Sequence, residues 1–161
     1  MTLPRAIVAS PPVAVLDVVA RVVLGEPAES IDVGAPVSDD EVIDELVGAA
    51  VASAQRLALA SQLWLADEPQ SGHLARLLAD AVTRGVATSA AINVAGAMVG
   101  AAAAGTEDEV ARLVTRARSV LADEDLIAGA AALMLALTSE IARSLALDPV
   151  TVEFELRATP L

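Results

Sequence analysis

The residues that come closest to a catalytic set lie around His73, the only histidine in the chain. Ser71 and Asp67 precede it closely, so the three supply the residue types of a nucleophilic triad. The segment lacks the G-x-S-x-G elbow that would expose the serine, and a histidine at a helix start is the simpler interpretation. One histidine also excludes the two-histidine sites of di-iron bundles and of zinc proteases. We therefore predict no catalytic residue.

The densest group of carboxylates lies at residues 39–45, in the sequence DDEVIDE. Mg²⁺ binds to such groups through a few carboxylates and several waters. Acidic residues are also expected in the first turn of a helix, where they interact favourably with its dipole, and we favour this explanation. The chain has neither a G-x-x-x-x-G-K-[ST] nor a G-x-G-x-x-G phosphate loop. We therefore predict no metal and no cofactor.

The composition indicates a core built from small side chains. The 161 residues are enough for one domain, residues 1–161, and 55% of them are hydrophobic. Of these, 36 are alanine, whereas the chain has one Phe, one Trp and no Tyr. Because few large side chains are available to fill gaps, stability must come from close approach of backbones.

The charge excludes one class of partner. The net charge is −12 and the basic residues are not clustered, whereas nucleic-acid binding depends on Lys and Arg near phosphates. We therefore expect no nucleic-acid partner. The first residues, MTLPRAIVASPP, lack the charged and apolar regions of a secretory signal, so we expect a cytoplasmic protein.

Periodicity and start signals predict a mainly α-helical bundle of about six helices. Residues 1–11 are predicted as an N-terminal arm and residues 25–37 as a loop, with the first helix between them. Capping-box patterns predict helix starts at Ser38 and at Thr106. The predicted helices after the loop cover residues 38–66, 73–84, 85–106 and 106–121, and a last helix begins at Asp123, is apolar all round from Leu126 to Thr138 and becomes amphipathic around Glu140 and Arg143.

The run from Gly85 to Thr106 has no charged side chain. It is long enough to span a bilayer or to form the central helix of a soluble bundle. Its Ala and Gly content and the absence of Trp or Tyr at its ends favour the bundle. On a helix, one stripe would hold small and polar residues only, and we expect that stripe to face the closest helix, in this chain or in a partner. The stripe consists of Ser89, Asn93, Gly96 and Gly100.

The end of the chain changes period. In residues 150–158 apolar and polar side chains alternate, which predicts a half-buried β-strand. A single strand needs a partner for its backbone groups. The candidates are Arg5–Ala9, Ile31–Val33 and the same segment of a second chain. The apolar residues of the predicted strand are Val150, Val152, Phe154 and Leu156.

These patterns favour a non-enzymatic assembly or protein-interaction subunit, either a homo-oligomer or the small subunit of a larger complex. The predicted interface combines the stripe on the uncharged run with the apolar residues of the strand. One alternative is an apolar-ligand-binding or small catalytic domain, with polar groups such as Asn93 and Thr138 lining a pocket between apolar helices. Another is a membrane-active protein that uses residues 85–106.

Overall fold

The computed structural model describes residues 38–66 and 71–152, and this part of the protein is mainly helical, as predicted. The predicted N-terminal arm, first helix and loop, residues 1–37, lie outside the described residues. A short helical turn at residues 149–152 follows the last long helix. The helices are α1 (Asp39–Ala66), α2 (Ser71–Thr83), α3 (Ser89–Ala103), α4 (Glu107–Arg118) and α5 (Asp123–Leu145).

Helix α5 forms the centre of the described bundle and packs against all four other helices. Its sequence from Leu126 to Thr138 is apolar all round, so burial on several sides is the arrangement that removes this surface from water. Three acidic residues lie in its first turn and Arg143 lies in its last, where each sign interacts favourably with the helix dipole.

By length and composition, α5 is the one helix of the described part that could cross a membrane. Its most apolar window has a mean hydropathy of 1.6, and 78% of that window is buried inside the protein. The core helix of a soluble bundle has the same length and composition. The neighbouring helices cover most of the apolar surface of α5, so this helix lies in the core of the described part.

Two helices approach each other closely where α3 crosses α5. A Cβ atom built on Gly129 would lie 2.7 Å from the backbone C and O of Ala91 and 2.8 Å from its Cβ. Only a glycine therefore fits at this point of α5. The expected close packing of small residues is present, but the glycine that permits it is on α5. The residues of α3 that are buried are Ala91, Ile92, Ala95, Met98, Val99 and Ala102.

The uncharged run does not form one long helix. Gly85 has a φ of +73° and Gly105 a φ of +77°, so both adopt the left-handed conformation at which a turn interrupts the helix. Between them, the side chain of Thr88 accepts a hydrogen bond from the Ala91 backbone N–H at 3.1 Å and begins α3. Helix α3 has 15 residues, fewer than the roughly 20 that a bilayer span requires.

The two predicted capping boxes have different outcomes. At the start of α1, the Ser38 hydroxyl accepts a hydrogen bond from the Glu41 backbone N–H at 3.2 Å, as the pattern predicts. At Thr106 the predicted side-chain cap is absent. The Thr106 hydroxyl instead donates to the Ala101 carbonyl at 3.0 Å. It therefore satisfies the end of α3, which lies only a few residues before α4.

The predicted strand is wrong for residues 150–152, which form a helical turn. The Asp148 side chain accepts a hydrogen bond from the Val150 backbone N–H at 2.9 Å, and the Asp148 carbonyl accepts one from the Val152 backbone N–H at 3.1 Å. Asp148 thus caps the turn, and Pro149 occupies the first helical position, where proline is favoured. The remainder of the predicted strand, including Phe154 and Leu156, lies outside the described residues.

We predict that Gly129→Ala lowers the free energy of unfolding by about 1–3 kcal/mol, because the new methyl group would overlap the backbone of Ala91. The control is Gly96→Ala in α3, where a Cβ would meet no atom within 4 Å. The control should leave the stability of the dilute protein unchanged or raise it by up to about 1 kcal/mol. Urea unfolding measures both. Equal stability of Gly129→Ala and the native protein would contradict the close contact.

Candidate functional site

The predicted stripe lies on the outside of the bundle. Ser89, Asn93, Gly96 and Gly100 are all exposed, and Ala97 is exposed beside them. We call these five residues the α3 outer face. Among residues 38–66 and 71–152, no helix covers the stripe, because the larger side chains of α3, which include Ile92 and Met98, occupy the opposite side and turn that side to the core. Contact with another helix, in this chain or in a partner, stays a prediction.

The two glycines of the α3 outer face have no packing role within the described chain. A Cβ built at Gly96 or at Gly100 would meet no atom within 4 Å. Inside a helix, glycine is less favourable than alanine by about 1 kcal/mol, because it loses more backbone entropy on folding. The monomer therefore bears the cost of two helix glycines at positions where it could accommodate alanine.

The exposed side of α3 also differs from its surroundings in charge. No residue of α3 carries a charge, whereas each of the other four described helices has exposed charged side chains. The chain as a whole has a net charge of −12. The α3 outer face is thus a surface of small, uncharged groups on an acidic protein, where the helix backbone itself can be approached closely.

The C-terminal residues of the predicted interface do not form one surface in the described part. The side chain of Val152 is only 3% exposed and packs with Ala60, Ile141 and Ala142. Val150 is 39% exposed, close to the exposed Leu147. Val152 is therefore part of the protein core. Phe154 and Leu156 lie outside the described residues.

A buried polar pair joins α1 to α5, and the sequence analysis did not predict it. Arg56 is 4% exposed and Thr138 is fully buried. The Arg56 Nη1 atom donates to the Thr138 hydroxyl at 2.5 Å, and this hydroxyl donates to the Met134 carbonyl at 2.9 Å. The sequence did contain a signal of this burial, because Arg56 lies at helical spacing with small residues of α1. These small residues are Ala49, Ser53 and Ala60, and all of them are buried with Arg56.

A second buried charge lies next along α5. Glu140 has no exposed surface, and its carboxylate binds the guanidinium of Arg143 through two hydrogen bonds, at 2.5 and 3.3 Å. Among the described residues, no buried side-chain nitrogen or oxygen lacks a hydrogen-bond partner. The Glu140 carboxylate is paired with Arg143 and the Arg56 guanidinium is hydrogen-bonded, which is the usual requirement for burying such groups, and we assign them a structural role.

One carboxylate at the start of α1, that of Asp39, also has a structural partner. Arg118, near the end of α4, binds Asp123 through Nε at 2.9 Å and Asp39 through Nη2 at 2.8 Å. The hydrogen bonds that Arg118 donates to Asp123 first and to Asp39 second raise the pKa of its guanidinium above the ordinary value. In the described part of the chain, no group of three or more His, Asp or Glu side chains is arranged to hold a metal ion.

The structure describes only part of the three residues considered as a triad, Asp67, Ser71 and His73. The backbones of Ser71 and His73 lie in the first turn of α2, so His73 does lie at a helix start. The side chains of both residues, and all of Asp67, lie outside the described part.

Comparisons with protein-family models, with curated proteins and with solved structures found no match to this chain. Its function is therefore inferred from the packing, exposure and charge of the described residues.

We predict that Thr138→Val lowers the free energy of unfolding by about 1–3 kcal/mol, because it removes a hydrogen-bond partner of the buried Arg56 side chain. The matched control is Thr115→Val, since the Thr115 hydroxyl makes the same bond to the carbonyl four residues earlier but is exposed. We expect a change within about 0.5 kcal/mol for the control. Thermal or urea unfolding that found the two variants alike would contradict the buried pair.

Proposed function

We propose that this protein is a non-enzymatic interaction subunit that self-associates through the α3 outer face, with α3 of one copy packed against α3 of a second. The observation that carries the proposal is the pair of exposed glycines, Gly96 and Gly100. Their cost to the helix is not offset within the described chain, and close approach of another helix would offset it.

Charge supports a second copy as the partner. Two chains that each carry −12 repel one another, and the repulsion is smallest where both contribute a surface without charges. A twofold pair of α3 outer faces meets this condition, because both sides of such an interface are the same uncharged patch. The acidic ends of α1 and α5 would then stay in water.

The chemistry of the face suits a self-complementary contact. Gly96 and Gly100 are one helical turn apart and leave the backbone open for close packing. Asn93, which lies one turn earlier, has an amide that both donates and accepts hydrogen bonds. The same amide on a second copy can therefore pair with it across a twofold axis.

The size of the face sets the expected affinity. With 15 residues and a rise of about 1.5 Å per residue, α3 is about 22 Å long. One helix face of this length is smaller than the roughly 800 Å² that each partner contributes to a standard stable interface. We therefore expect a reversible dimer with a Kd in the micromolar range, on the order of 1–100 μM.

The first test is sedimentation equilibrium with a matched pair of charge variants. Ala97→Glu places a carboxylate on the α3 outer face, and Ala79→Glu places one on an exposed position of α2. We expect Ala97→Glu to weaken the dimer at least tenfold, or about 1.4 kcal/mol, because two like charges would meet at the interface. Ala79→Glu should dimerise like the native chain. A native chain that stays monomeric up to about 1 mM would overturn the proposal.

The second test separates folding from association. The double variant Gly96→Ala, Gly100→Ala should unfold at higher urea than the native monomer, because alanine favours the helix by up to about 1 kcal/mol at each position. The same variant should dimerise more weakly, because the methyl groups hold the helices apart. If the double variant were more stable and also dimerised normally, the glycines would have no part in the interface.

A further inference from the structure

A pocket of about 280 Å³ opens between α2 and α5, near the turn that leads to α3. Its floor is formed by two small residues of α5, Ala132 and Ala136, and its apolar sides include Leu77 and Leu135. Both helices contribute small side chains, since Ala81 of α2 also lines the pocket. None of its lining residues belongs to the α3 outer face.

The rim of the pocket is polar but has no net charge. Asp80 and Arg84 lie at the rim one helical turn apart, and the Arg84 Nε atom binds an Asp80 carboxylate oxygen at 3.3 Å. Both side chains are about 60% exposed, so this ion pair is solvated and can rearrange. Ser139 of α5 adds a hydroxyl to the lining. The lining can therefore both donate to and accept from one polar group of a ligand.

Size and charge restrict the ligand. A volume of 280 Å³ lies at the lower end of the range for small-molecule sites. At roughly 30 Å³ for each water-sized group, it holds about nine non-hydrogen atoms. Because Asp80 and Arg84 neutralise each other, an ionic group at the rim would lose hydration without gaining an unpaired counter-charge, and the net charge of −12 further disfavours a carboxylate.

We infer that this pocket binds an uncharged aliphatic molecule of medium length with a hydroxyl or amide at one end. The alkyl part lies on Ala132 and Ala136 between the leucines, where it removes apolar surface from water. The polar end lies at the rim, between the Asp80–Arg84 pair and Ser139. This activity is separate from self-association, and each can fail without the other.

Isothermal titration with octanamide tests the inference, with octanoate as the charged comparison. We expect the native protein to bind octanamide at least tenfold more tightly than octanoate. Ala81→Leu adds bulk to the lining from the half-buried face of α2, and it should weaken octanamide binding about tenfold, or about 1.4 kcal/mol. Ala79→Leu, on an exposed position of the same helix outside the lining, is the control and should bind normally.

The variant Asp80→Asn leaves the apolar lining unchanged and provides a second measurement, the selectivity between octanoate and octanamide. It removes the negative charge at the rim and leaves Arg84, so octanoate binding should strengthen at least threefold relative to octanamide. No heat from octanamide at concentrations up to about 1 mM would overturn the inference. Binding that is unchanged in Ala81→Leu, or unaltered selectivity in Asp80→Asn, would also overturn it.

Discussion

The contact between Gly129 of α5 and the backbone of Ala91 in α3 is the constraint on which the rest of the arrangement depends. A side chain at Gly129 would overlap that backbone, so the two helices can be this close only with glycine there. Because α3 lies so close, it covers apolar surface of α5 that would otherwise be exposed to water. It also sets the rotation of α3, since the side of α3 that faces α5 must be the one with Ala91 and Ala95.

The rotation of α3 has a consequence for the surface. Ile92, Met98 and Val99 go into the core with the alanines, and the small stripe of the same helix is left in water. An acidic chain thereby presents one patch of uncharged backbone and small side chains, while the ends of α1, α4 and α5 are joined through Arg118. The proposed dimer uses this patch, and the proposed ligand site uses a different pair of helices, α2 and α5.

Much of the helical framework follows from local patterns, but the rotation of α3 does not. The length of α1 was predictable from the capping box at Ser38 and the proline-containing segment after Ala66. The core face of α4, with Val110, Val114 and Ala117, was predictable because charged and apolar residues alternate clearly there. Helix α3 has no charge to mark its outer side, so only a few larger apolar side chains decide which face is buried. The composition of the stripe was therefore predictable, and its exposure was not.

Two other differences arise from short-range hydrogen bonds that compete with a pattern. The alternation after Asp148 resembles a strand, but an aspartate cap followed by proline favours a helical turn. The Thr106 hydroxyl lies between the end of α3 and the start of α4, and it donates to a carbonyl at the end of α3.

The burial of Arg56 depends on Thr138 of α5, a residue 82 positions away, which no local pattern indicates.

Amide hydrogen exchange at low and high protein concentration tests the central claim most directly, namely that α5 is the buried centre of the described bundle, together with the proposal that a second copy covers the outer side of α3. The account predicts slow exchange in the buried part of α5, Leu126–Ala142, at both concentrations, because that helix opens only with the whole bundle. It predicts that exchange in α3 slows as the concentration rises. Fast exchange in α5, or exchange in α3 that does not change with concentration, would contradict it.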